Sequence, residues 1–524
     1  VLEGICIMNE QMIKRQPCFY DITLRDGKQS LQKPWNTGEK ELIFNHLLEL
    51  GVQGIEVGFA AASDMDYEAC SRLAQIAPDN IVISALARCV KSDIIKAAES
   101  IKSANKRRIH VFIAMSPFNM EYVLNKKPEE VRKQAIEAVT YAKSLMGNSG
   151  EVQFSVEHFG DCHENIDFVI NTLQEVVKAG ANVINLPNTV ERTRPRKFVE
   201  LVEKVYNALP KDIIISVHNH NDLGMATATT VESYFAGAIQ LECALNGLGE
   251  RAGNTNLYEV AVALHNSDVD VPLNLSKIYE LALTISDMSG VKIYEKAPLT
   301  GPEALAHRSG IHQDGAVKTK DMNKGAYRPI HPSLIGRKDD EKLGFTSQSG
   351  KTAIYEIITD AGYPITLSEA QRIAPVAKEE AEKIGELSTR NIIDLYYNNV
   401  LNVKGAFKLC SLERIDDDKS ILKFMYNNKQ YDIEVYGNGP VDACIKAIQK
   451  AGFNCEFLNY EQKALNMGSD ASAMTIMQFK APDGQTVISR GCDESTVNAN
   501  LKAIFNGLNI IENMLPNSLI SNSK

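Results

Sequence analysis

Two histidines separated by one residue are spaced to bind a metal ion. His218 and His220 follow Ile213–Val217, an apolar and largely β-branched run that predicts a buried parallel strand. On an extended chain, residues two apart point to the same side, so both imidazoles can reach one ion. Imidazole suits metals of borderline preference such as zinc or manganese. A lone pair at this spacing is more often one packed and one surface histidine, so the metal hypothesis depends on the rest of the chain.

Polar side chains also lie at or near the ends of most other predicted strands. They are Arg25, Asp26, Arg88, His110, Glu157, His158, Asn188, Thr189, Glu250, Arg251 and Asn254. Any one of them is equally explained by a polar turn, as Asp26 before Gly27 illustrates. Because a closed barrel brings the carboxyl ends of its strands to one face, the set together predicts an active site there.

The elements that must position these residues alternate strand and helix eight times. The predicted strands are Phe19–Leu24, Ile55–Phe59, Ile81–Ala87, Ile109–Met115, Val152–Val156, Val183–Leu186, Ile213–Val217 and Leu241–Leu245. Amphipathic stretches of helical length, such as Thr37–Leu50, separate them, and several end at a glycine placed to cap the helix, such as Gly51. This pattern predicts a closed (β/α)8 TIM barrel. A doubly wound open sheet is the alternative, but no Gly-x-Gly-x-x-Gly follows the first strand.

Composition limits the classes of protein. The chain has 524 residues, is 44% hydrophobic and carries a formal net charge of −10, which predicts two or three domains. Well-mixed charges argue against nucleic-acid and anionic membrane surfaces as partners. We see no apolar run of membrane-spanning length and no signal peptide. The ten scattered cysteines predict free thiols and a cytoplasmic location.

Two less regular regions follow the predicted barrel. Leu299–Gly336 contains His312 and Tyr327 and is interpreted as ordered loop rather than helix, because prolines and glycines interrupt it. Leu367–Ile384 is predicted to be helical, and the polar Asn398–Lys404 is interpreted as a linker.

The last 120 or so residues repeat a pattern of three strands and one helix. The strands of the first repeat are predicted at Phe407–Arg414, Ser420–Tyr426 and Gln430–Tyr436, and those of the second at Asn454–Tyr460, Ala473–Lys480 and Gln485–Arg490. We interpret this as a twofold βββα domain without a nucleophile–base pair or metal cluster. Ligand sensing or dimerisation is the predicted role, and a packing appendage is the alternative.

Three motifs together identify a family resemblance. Leu24–Gln29, His218–Gly224 and Gly249–Asn254 read L-R-D-G-x-Q, H-x-H-N-D-L-G and G-E-R-x-G-N, which resembles the DRE-TIM metallolyases. Within them, Ser309–Gly315 (S-G-I-H-Q-D-G) and the βββα repeat are similar to the 2-isopropylmalate synthases, most of all their second, less common branch. The resemblance covers residues 18–510. It implies an N-terminal extension (1–17), a catalytic barrel (18–290), linker subdomains that contribute to the partner's active site (291–402) and a C-terminal allosteric and dimerising domain (403–524).

The resemblance implies a role for each matching residue. Asp26, His218 and His220 would bind a divalent metal (zinc, manganese or magnesium), with Asn254 as a fourth oxygen ligand. The implied catalytic and substrate-binding residues are Arg25, His110, Glu157, Thr189, His312 and Tyr327. Arg25 would steady the developing oxyanion, Glu157 and His312 would form the acid–base pair, and Tyr327 would place its hydroxyl at the reacting centre. In the family, His312 and Tyr327 arrive from the partner subunit of a homodimer.

The implied reaction is a metal-dependent condensation of acetyl-CoA with 2-ketoisovalerate, in leucine biosynthesis. A monovalent cation such as potassium is a further implied cofactor. Citramalate synthase, which uses pyruvate, and homocitrate synthase, which uses 2-oxoglutarate, are the nearest alternatives. Acyl-CoA lyases share the barrel without the terminal repeat. An amino-acid sensor with an inactive barrel is the non-enzyme alternative, but it predicts missing ligands, and all of them are present.

The resemblance also implies feedback by leucine at the terminal domain. The predicted site comprises Gly437, Asn438, Gly439 and Pro440, with backbone N–H groups free for a carboxylate, together with Asp470 and Ala471. A purely dimerising domain is the alternative. The chain departs from the family at Ser489-Arg490-Gly491, where an aromatic residue usually precedes the glycine, at Glu191 in place of glycine, and at Asn219, which is expected to face away from the metal.

Overall fold

The computed structural model describes residues 15–338, 342–464 and 472–520, which form two compact units. The first unit contains Val1–Leu305 and Pro332–Asp340, and the second contains Ala306–His331 and Glu341–Lys524. The chain therefore returns to the first unit once after entering the second. In the part of the chain that is described, we find no helix long and apolar enough to cross a membrane.

The first unit is built on eight parallel strands that close into a barrel in chain order, with β1 beside β8. The strands are β1 Cys18–Asp21, β2 Gly54–Gly58, β3 Val82–Arg88, β4 Lys106–Ala114, β5 Glu151–Glu157, β6 Val183–Asn188, β7 Ile214–Asn219 and β8 Gln240–Cys243. Every predicted strand overlaps the observed one. The predicted TIM barrel is confirmed, and the open sheet is excluded because β1 and β8 pair.

Helices connect and follow the barrel strands. They are α1 Thr37–Leu50, α2 Asp64–Ile76, α3 Lys91–Ser100, α4 Pro128–Met146, α5 Ile166–Lys178, α6 Pro195–Ala208, α7 Ala226–Phe235, α8 Leu257–His265 and α9 Ile278–Ser289. At the start of α1, the Asn36 side chain accepts from the Glu39 N–H while the Glu39 carboxylate accepts from the Asn36 N–H. Gly51 ends α1 in the left-handed conformation with φ 93°, as predicted, which turns the chain towards β2.

Charged side chains lie inside the barrel among apolar ones. Glu56 of β2, Arg108 of β4 and Glu242 of β8 are all buried. Arg108 donates to Gln153 and Gln240 at 3.1 and 2.7 Å. Each of these buried charges has a hydrogen-bonding partner, as burial in a medium of low dielectric requires. The barrel interior therefore holds a polar network beneath the predicted active-site face.

The second unit begins with a short strand and four helices. Strand β9 (Ala306–His307) pairs with β10 (Lys342–Leu343), and the helices are α10 Gly310–Lys318, α11 Lys351–Asp360, α12 Leu367–Ile384 and α13 Thr389–Tyr396. The prediction for α12 is confirmed to the residue. The interpretation of Leu299–Gly336 as loop was wrong at α10. Glycine there lowers helix propensity, but a Cβ at Gly315 would lie 2.4 Å from the Tyr327 ring, so close packing outweighs propensity.

Two βββα repeats complete the second unit, as predicted. The first comprises β11 Phe407–Arg414, β12 Lys419–Tyr426, β13 Lys429–Tyr436 and α14 Pro440–Lys450, and the second comprises β14 Glu456–Ala464, β15 Ala473–Lys480, β16 Thr486–Asp493 and α15 Thr496–Met514. Each set of three strands is an antiparallel sheet. One apolar core joins α14, α15 and the inner faces of both sheets, so the repeats form one domain.

The interpretation of Asn398–Lys404 as a linker was wrong. Val400 and Leu401 are buried in the apolar core of α11–α13. The Asn506 side chain of α15 donates to the Leu401 carbonyl at 2.8 Å and accepts from the Val403 N–H at 2.9 Å. These two buried side chains and the two hydrogen bonds with Asn506 hold the segment in place. The polar residues of the segment gave no indication of its apolar contacts. Met474 of β15 belongs to the same core, so the repeat domain and the helices share packing.

Candidate active site and metal centre

Three potential metal ligands converge at the carboxyl ends of β1 and β7. Asp26 follows β1, His218 lies within β7 and His220 follows it, and their ligand atoms lie within 4.8 Å of one another. His218 Nε2 is 3.3 Å from His220 Nε2 and 3.9 Å from Asp26 Oδ2. All three side chains are buried. Two nitrogens and a carboxylate oxygen in this arrangement suit a divalent ion of borderline preference.

Asn254 is placed as a fourth donor. Its Nδ2 donates to Asp26 Oδ1 and to the Leu248 carbonyl, both at 2.8 Å. Its Oδ1 is buried and has no hydrogen-bond partner among the described residues. An unpaired buried oxygen costs free energy unless something binds it. Because this side chain contacts Asp26 through its amide nitrogen, its unpaired oxygen is a candidate metal ligand. Gly249 permits this approach, since a Cβ there would lie 2.2 Å from Asn254 Nδ2.

The protonation states also suit metal binding. Burial and the neighbouring His218 lower the pKa of His220 to about 3, which leaves its imidazole neutral. Burial alone would raise the pKa of the Asp26 carboxyl, but Arg25 and the two histidines outweigh it and hold that pKa well below its ordinary value. Asp26 is therefore a carboxylate and His220 a free base, the forms that bind cations.

A chain of buried hydrogen bonds runs from Arg25 across the barrel mouth. The Arg25 guanidinium donates to Asp26 and to Glu56. The other oxygen of Glu56 is 2.5 Å from His110 Nδ1, and His110 Nε2 is 2.6 Å from Ser155 Oγ. Arg25 and His110 were predicted from the sequence, but Glu56, which holds both, was missed. Its signal was a lone acidic residue inside the apolar strand Gly54–Gly58.

A cavity of about 210 Å³ opens over the ligand cluster. The predicted residues Arg25, Asp26, His110, Glu157, Thr189, His218 and His220 all line it. Thr189 Oγ1 accepts from the His158 N–H at 2.8 Å, which fixes the hydroxyl at the cavity wall. Burial raises the pKa of the Glu157 carboxyl, which brings it closer to the range of a general base. The barrel therefore brings the residues predicted for its mouth to one pocket.

The comparisons with known proteins agree along the chain. Residues 16–285 match the family described as HMGL-like, residues 304–359 the post-catalytic domain of alpha-isopropylmalate synthase, and residues 387–512 the LeuA allosteric (dimerisation) domain. The 2-isopropylmalate synthase of Campylobacter hominis is 35% identical over 509 residues, which cover 95% of this chain and 99% of that protein. The chain belongs to the 2-isopropylmalate synthase family.

Other members of the 2-isopropylmalate synthase family are similar to it as well. The 2-isopropylmalate synthase 2 of Leptospira interrogans is 55% identical over 389 residues, which cover 74% of this chain and 91% of that protein. The 2-isopropylmalate synthase of Pyrococcus furiosus is 34% identical and covers 94% of this chain and 98% of its own. Among solved structures, the HMG-CoA lyase of Bacillus subtilis covers 52% of this chain and 94% of its own, with 20% identity and a TM-score of 0.46. The chain is thus an enzyme of leucine biosynthesis from a metal-dependent family, with a residue cluster able to hold the metal.

The two site residues predicted beyond the barrel lie in the second unit. His312 is on α10 and Tyr327 follows that helix, with their ring centroids 4.2 Å apart. Both side chains are exposed to solvent. Within this unit the two rings pack against each other and both remain exposed to solvent. Their role in the 2-isopropylmalate synthase reaction stays a prediction.

The predicted leucine-binding turn differs from expectation in its backbone groups. The Gly437 N–H donates to the Asp418 carbonyl and the Asn438 N–H donates to the Asp442 carboxylate, both at 2.8 Å. Pro440 has no N–H, so the prediction that this turn offers several free N–H groups was wrong, and the Gly439 N–H remains the candidate. Asp470 and Ala471 lie outside the described residues.

The departures from the family pattern have structural explanations. Glu191 accepts from the Leu223 and Met225 N–H groups at 2.7 and 3.3 Å, which ties the loop after β6 to the loop after β7. Asn219 faces away from the ligand cluster, as predicted, and donates to Thr230 of α7 at 2.8 Å. Arg490 makes a buried bidentate ion pair with Glu369 of α12 at 2.7 and 2.9 Å. Sequence reasoning could not find the partners of Glu191 and Arg490, because they lie 32 and 121 residues away.

Proposed function

We propose that this enzyme condenses acetyl-CoA with 2-ketoisovalerate and hydrolyses the thioester to give 2-isopropylmalate and CoA. The observation that supports it best is the convergence of Asp26, His218 and His220 in a pocket that Arg25 and Glu157 also line, with the Asn254 amide against Asp26. Asp26, His218, His220 and Asn254 would hold a divalent ion, for which zinc, manganese and magnesium are the candidates, and that ion would supply the positive charge that polarises the ketone of a 2-keto acid. Membership of the family supports the same reaction.

The chain's own residues supply the rest of the chemistry. Arg25 is held by Glu56 and Asp26, so its positive charge is fixed before oxyanion develops on the keto acid or the thioester. Glu157 is the candidate base for a methyl proton of acetyl-CoA, because it lines the cavity and its pKa is raised by burial. Thr189 holds the keto-acid carboxylate. His312 and Tyr327 complete the acid–base machinery from a second subunit.

The cavity favours an apolar acceptor over one with a second carboxylate. Leu86, Phe112 and Pro187 form an apolar part of its lining. Of the two arginines of the lining, Arg25 is assigned to the developing oxyanion and Arg251 already donates to the Asp222 carboxylate at 2.7 Å. A second substrate carboxylate would have to compete for these two cations, which argues against 2-oxoglutarate. Pyruvate would leave the apolar surface uncovered and forgo roughly 0.8 kcal/mol per missing CH₂.

Steady-state rates with three keto acids test the reaction. We expect kcat/KM for 2-ketoisovalerate to exceed that for pyruvate by at least tenfold, because pyruvate lacks about two of its apolar carbon groups. We expect 2-oxoglutarate to give no CoA release. A higher kcat/KM with pyruvate would assign the chain to citramalate synthesis instead. A rate above background with 2-oxoglutarate would contradict the proposed pocket. Repeating the assay with potassium replaced by tetramethylammonium tests the expected monovalent cation.

We propose further that leucine inhibits the enzyme through the terminal domain. The match of residues 387–512 to the LeuA allosteric domain supports this, as do the positive φ of 102° at Gly439 and the start of α14 beside it. Calorimetric titration of the full-length enzyme with leucine, isoleucine and valine is the test. Heat from leucine that Gly439→Trp abolishes is expected. If none of the three amino acids gives binding heat while the enzyme is active, the domain does not bind leucine and serves dimerisation only.

A cytoplasmic homodimer is the proposed state of the enzyme. The nine cysteines in the described residues are all free thiols, which accords with a reducing compartment. The dimerisation domain of the family supports association of two copies. Sedimentation of the purified enzyme would give twice the chain mass, and a monomer active at nanomolar concentration would contradict the dimer.

A further inference from the structure

The two histidines of the ligand cluster are supported unequally. His218 Nε2 faces the cluster, and its Nδ1 is 3.0 Å from Glu242 Oε2. His220 Nδ1 is buried and has no hydrogen-bond partner among the described residues. One imidazole is therefore held from behind by a carboxylate, while the other is held by packing.

Glu242 is built into the barrel wall at the height of His218. It lies on β8, where it is the register partner of His218 on β7, and its side chain is fully buried. A carboxylate can only accept, so the Nδ1–H of His218 donates and the lone pair remains on Nε2, towards the cluster. That is the tautomer which a metal ligand requires.

The second oxygen of Glu242 is also fixed. Gln153 Nε2 donates to Glu242 Oε1 at 2.6 Å. The amide oxygen of Gln153 accepts from Arg108 and from Gln240, both at 3.1 Å, so the amide cannot turn round without losing these bonds. Arg108 is in turn paired with Glu151. Hydrogen bonds between buried side chains therefore connect Arg108, near the start of β4, through Gln153 and Glu242 to His218.

We propose that Glu242 is a positioning residue that orients His218 and places a negative charge behind its imidazole ring, and that Gln153 holds Glu242 in place for this task. The inference rests on the proposed metal site, since it concerns the ion that His218 would bind. It adds two residues that touch neither substrate nor metal. Outer partners of this kind typically change metal affinity by roughly 10–100-fold when removed.

The test is calorimetric titration of Mn²⁺ into the chelator-treated full-length enzyme, with the thermal unfolding temperature of the metal-free protein measured in parallel. Glu242→Gln is expected to weaken Mn²⁺ binding by roughly 10–100-fold. Glu259→Gln is the matched control, because Glu259 is a half-buried carboxylate of the same unit that accepts from Thr227 at 2.7 Å, away from the cluster. Its affinity for Mn²⁺ is expected to equal that of the wild type.

A double variant that exchanges the side chains at 153 and 242 separates an effect on metal binding from an effect on stability. In Gln153→Glu/Glu242→Gln the amide at 242 donates to a carboxylate at 153, which Arg108 and Gln240 can still contact. The buried pairing is kept, but the negative charge moves one step away from His218. We expect the unfolding temperature of the metal-free protein to return to that of the wild type, while Mn²⁺ affinity stays at least tenfold weaker.

The outcomes distinguish this inference from the proposed function. If the wild type binds no Mn²⁺, Zn²⁺ or Mg²⁺, the proposed metal site is wrong. If the wild type binds Mn²⁺ and either variant binds it within twofold of the wild type while retaining its fold, Glu242 does not position His218. If Glu242→Gln does not fold, the exchange variant decides alone. Cobalt substitution gives a second readout, since a changed visible spectrum in the variant reports altered ligand geometry.

Discussion

At the scale of single residues, Asp26 is the candidate metal ligand whose loss should matter most, because it contacts Arg25 and also accepts a hydrogen bond from the Asn254 amide. Asp26→Asn keeps the shape but removes the negative charge that offsets a divalent ion. We expect turnover and bound metal to fall by more than the roughly 100-fold of an outer-partner loss. Metal content and initial rates measure it, with the exposed Asp270→Asn as control. Near-normal turnover of Asp26→Asn in metal-stripped buffer would show that the ligand assignment is wrong.

Asp21 predicts a pH dependence of stability. Burial raises the pKa of its carboxyl to about 7, and hydrogen bonds from Thr23 offset this only in part. The folded pKa lies above the ordinary 3.8, so the contribution of Asp21 to stability is fully present below pH 3.8 and is lost as pH rises to about 7, at about 1.4 kcal/mol per pH unit. An asparagine does not ionise in this range, so Asp21→Asn should not show this loss of stability.

Thermal unfolding of both proteins between pH 5 and 8 measures the effect. The unfolding temperature of Asp21→Asn minus that of the wild type should increase from pH 5 to about 7 and then level off. The same comparison with Asp270→Asn should show no trend. A difference that stays constant with pH for Asp21→Asn would mean that the carboxyl ionises normally in the folded protein.

Residue types at strand ends indicated the candidate ligands, but two carboxylates inside strands were missed. The sequence shows a change from apolar to polar residues at the end of a strand, and this is where Arg25, Asp26, His218 and His220 lie. Glu56 and Glu242 lie within strands. A lone acidic residue in an apolar run, such as Glu56, stands out in the sequence, but the sequence around it does not show which side chains pair with it. Their partners come from neighbouring strands, so their roles depend on the closed barrel and could not be read from spacing.

At the scale of elements, the Arg490–Glu369 pair joins strand β16 to helix α12. Their side chains are 4% and 1% exposed, and the Glu369 carboxylate also accepts from the Thr366 N–H at the start of α12. Removing one partner would leave a buried charge without compensation. We expect Arg490→Met to reduce the free energy of unfolding by about 3–5 kcal/mol.

Denaturant unfolding of the full-length protein measures this loss. Arg308→Met is the matched control, because the Arg308–Glu386 pair is about 40% exposed and should contribute at most about 1 kcal/mol. The double variant Arg490→Met/Glu369→Met should recover much of the stability, since two apolar side chains replace a desolvated pair. Equal losses for Arg490→Met and Arg308→Met would contradict this explanation of the family departure.

Periodicity predicted the strands and helices of the βββα repeats, but it did not predict where they attach. The polar residues of Asn398–Lys404 suggested a free linker, yet Asn506 and Asn509 of α15 bind its backbone. Side chains one hundred residues away supply these contacts. Local sequence patterns define the elements, while such distant polar contacts decide which segments are rigid.

At the scale of the whole molecule, the assignment of His312 and Tyr327 to a second subunit predicts complementation. Arg25→Ala and His312→Ala should each be inactive alone, because one lacks the barrel charge and the other the exposed imidazole. Mixed and allowed to exchange subunits, they should regain up to about a quarter of wild-type activity through hybrid sites. Arg25→Ala mixed with Asp26→Asn is the control, since both defects lie in the barrel. No regained activity after proven exchange would place all these residues in one subunit's site.

Met474 has a consequence for anyone who would build chimeras from this family. It extends from the central strand of the second repeat into the core of α11–α13. A graft that starts at residue 403 would leave that core with a hole and expose the methionine face to water. A fragment meant for transplantation should therefore be larger than the repeat and include α11–α13, so that Met474 keeps its apolar surroundings.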